Sequence, residues 1–312
     1  MDRRIFIRNG AMACAAMMIH DIPAFGSTAI PIEYPGLAAA SNADPYLSAR
    51  AVVEAMGGMG RFVRPGSITG FLINSAFDVE GAYTSPDVAI AVVEMAKEAG
   101  AGEIIFLQPI LEDYWKRSKR YKSFRKLLPE ITQVTSNVFP STFNETDFRN
   151  LTGIKGALHL QNIEIIRKIF EIDSFINMPI GKHHPSTLYT GALKNMMGLT
   201  TRKTNVAFHL GSGVKNDPAY LAECIADLNL VRKPDLVVTD SVKVLVTNGP
   251  SGPGETVEPG KVFATADPVA ADAYGAKLIG YEPAEILAVQ KAASLAIGEA
   301  DLDKVQIVEL GI

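Results

Sequence analysis

The sequence predicts an α/β protein: a mostly parallel or mixed sheet flanked by helices, built as one large domain or as two intimately packed α/β halves. Three observations predict it. The stretches ITGFLINSA (68–76), SPDVAIAVVEMAKEAG (85–100) and GEIIFLQPI (102–110) follow one another at the spacing of a strand–helix–strand unit. Strand-like and helical stretches go on alternating through the rest of the chain, with no repeat and no low-complexity linker. Composition agrees: of 312 residues, 47% are hydrophobic and 21% charged, ample for a sizeable core.

Each element has a local reason. Residues 27–67 are rich in Ala, Gly and Pro and read as an N-terminal arm with a helix near 44–57, which sets the α/β domain at 68–312. The 68–76 strand follows from β-branched and aromatic content. The 85–100 helix has Ser85 as N-cap, Pro86 at its first position and Gly100 at its end. The basic, aromatic segment 114–131 reads as an amphipathic helix with a solvated face. Residues 156–160 and 174–180 read as strands, with a helix at 164–172 between them. A helix opens at Pro185 or Ser186, with Leu188, Tyr189, Ala192, Leu193, Met196 and Met197 on its apolar face and Thr187, Thr190, Gly191 and Lys194 as a small polar stripe. Then come a helix at 217–231, two strand-like stretches and a Gly-Pro loop within 234–254, and a strand leading to Asp267-Pro268 and a helix (261–280). A helix at 283–296 and a strand at 304–310 follow.

Charge and the N-terminus bound the function. A formal net charge of -4 gives no reason to expect a nucleic-acid partner, and no internal run is apolar and long enough for a stable membrane anchor. The start, MDRRIFIRNGAMACAAMMIHDIPAFGSTA, resembles a twin-arginine export signal: paired Arg3 and Arg4, then Phe6-Ile7, a weak apolar stretch, and small residues around Ala24-Phe25-Gly26. It predicts a signal over 1–26, passage through the twin-arginine translocase and a periplasmic or exported location. Cleavage removes Cys14 and His20 and leaves Cys224 as the single cysteine. One thiol holds neither an intrachain disulfide nor a cysteine-ligated iron–sulfur cluster.

The chemistry concentrates after the strand at 174–180, in GKHHPSTLYTGALKNMMG (181–198). From Ser174 to Asn216 the chain carries no Asp or Glu, yet holds Lys182, Lys194, Arg202, Lys203 and Lys215 with His183, His184 and His209. An acid-free window at a strand end points to an anionic ligand, a carboxylate or a phosphate. His184 and His209 are candidates for proton transfer, because imidazole titrates near neutrality. Downstream lie Asp240, the Asn248-Gly249-Pro250 turn, Asp267 and Asp272. Asp267 before Pro268 is explained by helix capping; Asp272, deeper in a helix of small residues, suits a partner cation or a divalent metal.

Taken together, Lys182, His184, Thr190, Ala192-Leu193-Lys194-Asn195 and Gly198, followed by His209, IADL (225–228), Asp240, Gly249-Pro250, Gly252 and DPVAADA (267–273), resemble the motif of the prokaryotic family called domain of unknown function 362, over roughly 68–280. The resemblance implies site residues Lys182, His184, Lys194, Asn195, His209, Asp240, Asp267 and Asp272, and makes His183, where the family commonly has threonine, a bystander. The first strand departs from the family's Lys-Pro-Asn and retains only Asn74. Three functions follow as expectations. The leading one is an enzyme for a small anionic substrate, with Lys182, His184 and His209 catalytic. In it Lys194, Asn195, Thr190, Arg202, Asn74, Asn248 and Gly249 bind ligand, and Asp240, Asp267 and Asp272 hold a metal. The second is a non-catalytic binding protein for an anionic metabolite or metal complex. The third is a structural ion-pair network without an active site.

Overall fold

The computed structural model describes residues 34–134 and 146–312. The expected export signal, residues 1–26, lies outside these residues. The strands are β1 (Leu37–Ser41), β2 (Ile68–Ile73), β3 (Glu103–Phe106), β4 (Thr132–Gln133), β5 (Phe148–Thr152), β6 (Asn162–Ile166), β7 (Ser174–Met178), β8 (Lys182–His184), β9 (Leu188–Thr190), β10 (Leu236–Ser241), β11 (Val244–Leu245), β12 (Thr256–Val257), β13 (Lys261–Thr265) and β14 (Ile307–Gly311). The helices are α1 (Pro45–Ala55), α2 (Pro86–Glu98), α3 (Glu112–Trp115), α4 (Tyr121–Phe124), α5 (Ala192–Asn195), α6 (Arg202–Leu210), α7 (Pro218–Asn229), α8 (Pro268–Leu278) and α9 (Leu287–Ser294).

Among the described residues one eight-stranded sheet runs in the order β14-β1-β13-β10-β7-β2-β3-β4. All neighbours pair in parallel except those of β13, which is antiparallel to both β1 and β10. Helices cover both faces, so the strands are apolar on both sides. Alternate residues divide between two cores: Phe71, Ile104, Phe106 and Ile176 pack with residues of α1 and α2, while Leu72, Ile105 and Phe175 pack with residues of α7, α8 and α9. The expected strand–helix–strand unit is present as β2-α2-β3, and Ser85 caps α2 by accepting the Asp87 N–H at 3.2 Å.

Several elements differ from expectation, each for a physical reason. The stretch read as an arm supplies β1 and α1 to the sheet: Ala38, Ala39 and Ala40 are completely buried, so their small size serves close packing, not flexibility. The basic segment is two single turns, α3 and α4, instead of one helix. Ser118 interrupts it by accepting the Arg120 N–H and donating to Asp87. Its aromatics Tyr114, Trp115 and Phe124 are core residues. Residues 156–160 form no strand, because Asp227 takes the N–H groups of Leu158, His159 and Leu160 at 2.7, 2.7 and 3.0 Å. The expected helix at 164–172 is instead the end of β6, paired with β5, then a 3-10 turn. The helix expected from Pro185 is replaced by the β8–β9 hairpin, turned at Leu188 with φ of 59°, and helix begins only at Ala192.

Replacing Asp227 by alanine removes the acceptor of three backbone N–H groups, of which that of Leu160 is buried. Asp227→Ala is expected to cost about 3 kcal/mol in urea unfolding. A loss below about 0.5 kcal/mol would show that these bonds do not hold the 156–160 turn.

Candidate functional site

Because β2, β3, β7 and β10 are parallel, their carboxyl ends open on one edge. From β2 the order runs outward through β3 to β4, and on its other side through β7 to β10. The chain order therefore reverses between β2 and β7, the place where open α/β sheets bind ligands. Asn74 follows β2, Gln108 lies just beyond β3, and Lys182 begins the hairpin after β7. Together with α5 and α6 they wall a pocket of about 450 Å³.

The position of α5 is set from a distance. Asp272 of α8 accepts the N–H groups of Ala192 and, at 3.0 Å, Leu193, the open N-terminus of α5. Gly191 permits this approach, since a Cβ there would lie 2.2 Å from the Asp272 carboxylate. The turn so fixed carries Lys194 and Asn195 into the pocket wall. Gly198 plays the same part beyond it: its carbonyl takes the Gln108 Nε2 at 2.7 Å, and a Cβ would collide with that nitrogen.

The wall is rich in basic side chains. Among the described residues, Lys182, Lys194, Arg202 and Lys215 line the pocket beside His184 and His209, and no carboxylate does. Lys182 is completely buried, with its amine donating to the Ala82 carbonyl and lying 3.8 Å above the Phe77 ring centroid. Burial, with Lys194 nearby, pushes that amine down to about 6. Burial pushes Lys194 down to about 8, and among the described residues its ammonium has no hydrogen-bond or ion-pair partner. An ion-pair network is therefore absent from these two lysines. Apolar side chains, among them Phe77, Met197, Val206 and Leu210, supply the remainder of the wall.

The two histidines are held differently. His184 accepts the Ser186 backbone N–H through Nδ1 at 3.2 Å, which places its own proton on Nε2. Burial, then Lys194 and the other cationic or histidine neighbours, push it down to about 3, so it is a neutral donor at ordinary pH. His209 pairs through Nδ1 with the Asn216 Oδ1 at 3.0 Å, so Nδ1 donates and Nε2 keeps a lone pair. Burial and Lys194 lower its pKa, and the Asn216 bond partly opposes them. Thr190, a residue 4% exposed, lines the same pocket, and among the described residues its buried hydroxyl has no hydrogen-bond partner.

Of the candidate residues, Asn74, Lys182, His184, Thr190, Lys194, Asn195, Arg202 and His209 all line this pocket. Asn248 and Gly249 do not line the pocket, although the adjacent Pro250 does. His183 does not line the pocket, and its Nδ1 accepts the Gly249 N–H at 3.3 Å. The three downstream aspartates are not brought together as ligands. Asp240 accepts N–H groups from Ser85 and Val242, Asp267 caps α8 and also takes the Glu299 N–H, and Asp272 caps α5. Among the described residues no group of three or more His, Cys, Asp or Glu side chains is placed to hold a metal ion. Sequence reasoning missed Gln108, Phe77, Asn216 and the buried Asn177. Asn177 left a signal, a lone amide inside the apolar stretch SFINMPI.

The fold is that of an open α/β protein, with a mostly parallel sheet and a pocket lined by basic side chains at its switch point. The chain belongs to the family described as Domain of unknown function (DUF362), whose model matches residues 72–277. It is 25% identical over 266 residues to a thylakoid-associated protein of Synechocystis sp., covering 82% of this chain and 77% of that protein. Among solved structures it is similar to the lactate racemase apoprotein from Thermoanaerobacterium thermosaccharolyticum, with a TM-score of 0.49 and 14% identity over 80% of this chain and 57% of that one. A protein from Thermotoga maritima gives a TM-score of 0.36 and 15% identity over 62% of this chain and 49% of the other. The chain thus spans about half the length of these two structures.

The unpartnered lysine makes stability depend on pH. Lys194 binds its proton less tightly when folded, about 8 against the ordinary 10.5, so the penalty of holding it charged is full below pH 8 and fades towards pH 10.5. Lys194→Met is expected to raise the urea midpoint below pH 8, with the gain shrinking as pH approaches 10.5. A gain that stays constant across that range would contradict the desolvation of Lys194.

Proposed function

We propose that this protein is an enzyme acting on a small anionic substrate, a carboxylate or a phosphate, held in the pocket between β2 and β7. One observation carries the reading: among the described residues four basic side chains, Lys182, Lys194, Arg202 and Lys215, line the pocket, no carboxylate does, and the Lys194 ammonium has no partner. A desolvated cation without a counter-ion costs stability, and an arriving anion relieves that cost. The apolar part of the wall strengthens the attraction by excluding water. Proton transfer falls to His209, whose Nε2 lone pair is the free basic nitrogen of the histidine pair. His184, neutral with its proton on Nε2, donates a hydrogen bond to the substrate oxygen on which negative charge develops. Lys182 adds positive potential from behind the wall once the bound anion raises its proton affinity. The aspartates act through position: Asp272 fixes the turn bearing Lys194, and Asp240 and Asp267 hold the surrounding backbone.

Export through the twin-arginine route is part of the proposal, supported by Arg3-Arg4 and Phe6-Ile7 at the N-terminus. Among the described residues no helix is long and apolar enough to cross a membrane. A similar protein is by its name thylakoid-associated.

Binding and chemistry separate in two variants. Incubated in deuterium oxide with a panel of small carboxylates and phosphate esters, the protein is expected to exchange a carbon-bound proton beside the anionic group of at least one member. His209→Gln is expected to abolish exchange while preserving binding, and Lys194→Met to abolish both. Binding without exchange across the panel would make this a binding protein; exchange undiminished in His209→Gln would remove that histidine from the chemistry. For export, replacing Arg3 and Arg4 by lysine is expected to retain the protein in the cytoplasm on cell fractionation, and unaltered export would refute the signal.

A further inference from the structure

The pocket also has a fixed hydrogen-bond polarity, set by a relay of three asparagines that begins in the core. Asn177, completely buried on β7, donates through Nδ2 to the Ala192 carbonyl at 2.9 Å. A carbonyl only accepts, so the orientation of this amide is determined, and its Oδ1 faces the other way. That oxygen accepts the Asn195 Nδ2 at 2.7 Å, and the same nitrogen also donates to the Leu72 carbonyl at 3.3 Å. Asn195 must therefore turn its Oδ1 outward, where it accepts the Asn74 Nδ2 at 3.3 Å. The Asn74 Oδ1 is left at the pocket wall as an acceptor, with no partner among the described residues. Two backbone carbonyls, of Ala192 and Leu72, thus dictate which end of a third side chain the ligand meets.

The charged groups around the pocket are donors, while the amides of Gln108 and Asn205, whose nitrogens are held by the Gly198 and Thr201 carbonyls, and His209 Nε2 add further acceptors. Lys194 offers unpaired N–H groups, Arg202 and Lys215 add more, and His184 offers Nε2–H because the Ser186 N–H occupies its Nδ1. An anionic group satisfies these donors. It cannot satisfy the Asn74 Oδ1, which would remain desolvated and unpaired once the ligand displaced water.

We propose that Asn74 is a specificity-determining residue, and that its Oδ1 selects ligands carrying a hydroxyl or amino donor beside the anionic group. The proposal rests on the anion-site reading and narrows the substrate class within it. A site built to hydrogen-bond a ligand donor discriminates against the isostere that lacks it, because the acceptor is then left without a partner.

Two isosteric pairs of probes test it, glycolate against propionate for a carboxylate and 2-hydroxyethyl phosphate against propyl phosphate for a phosphate ester. Affinities are measured by calorimetry on the full chain. In the better-bound pair the hydroxyl member is expected to bind about tenfold more tightly, the size of one hydrogen bond. Asn74→Leu is expected to erase this preference while still binding propionate or propyl phosphate, which also shows that the variant is folded. Equal affinities within both pairs for the unaltered protein would overturn the proposal and leave the anion site standing, without needing any variant. A preference that survives in Asn74→Leu would equally overturn it. Failure of all four probes to bind would overturn the anion reading, and this proposal with it.

Discussion

The candidate site depends on one carboxylate holding two amide hydrogens. Asp272 is rooted in α8 and accepts the N–H groups of Ala192 and Leu193, the first residues of a helix of a single turn. Such a short helix has little stability of its own. Its neighbours hold it in place: Asp272 takes its N-terminal N–H groups, and the Ala192 carbonyl accepts from Asn177 on β7. Lys194 and Asn195 inherit their positions from this grip. The buried Asp272 carboxyl is itself pushed up to about 7 by desolvation, against the pull of those two N–H bonds. The carboxyl that organises the pocket is occupied by backbone N–H groups and does not line the pocket.

This division of labour explains the electrostatics. The acids that approach this region of the fold bind N–H groups: Asp240 at Ser85 and Val242, Asp267 at Val269, Ala270 and Glu299. Among the described residues the Lys194 ammonium is left without a counter-ion in the pocket. Such an arrangement is less stable than a neutralised one, and function is the usual reason for sites that oppose stability.

What was legible in the sequence was what local rules determine. Ser85-Pro86 and Asp267-Pro268 start helices because their caps are made by the next residues along the chain. The acid-free window was legible because absence of charge needs no geometry to be seen, and it led to Lys182, Lys194 and both pocket histidines. The hairpin at 182–190 was not legible. Its spacing of apolar residues suits a helix, yet the N-terminus of that helix is fixed by Asp272, eighty residues on in the sequence. The same separation hid the purpose of Asp272, which looked available for a cation until its two N–H partners were placed. Residues 156–160 failed for the same reason, since Asp227 acts on them from another element. Ala38–Ala40 were misleading in a different way, because small residues mark flexible arms and tight packing alike.

The single reversed strand has a consequence for how the molecule is made. β1, near the start of the described chain, lies between β13 and β14, pairing antiparallel with one and parallel with the other. Its hydrogen bonds on both sides thus wait for residues 261–265 and 307–311 to leave the ribosome. Contacts of such long sequence separation form late and slowly. Until then β1 and α1 are a nascent segment with apolar surface and unpaired backbone, the kind of intermediate that aggregates or recruits chaperones.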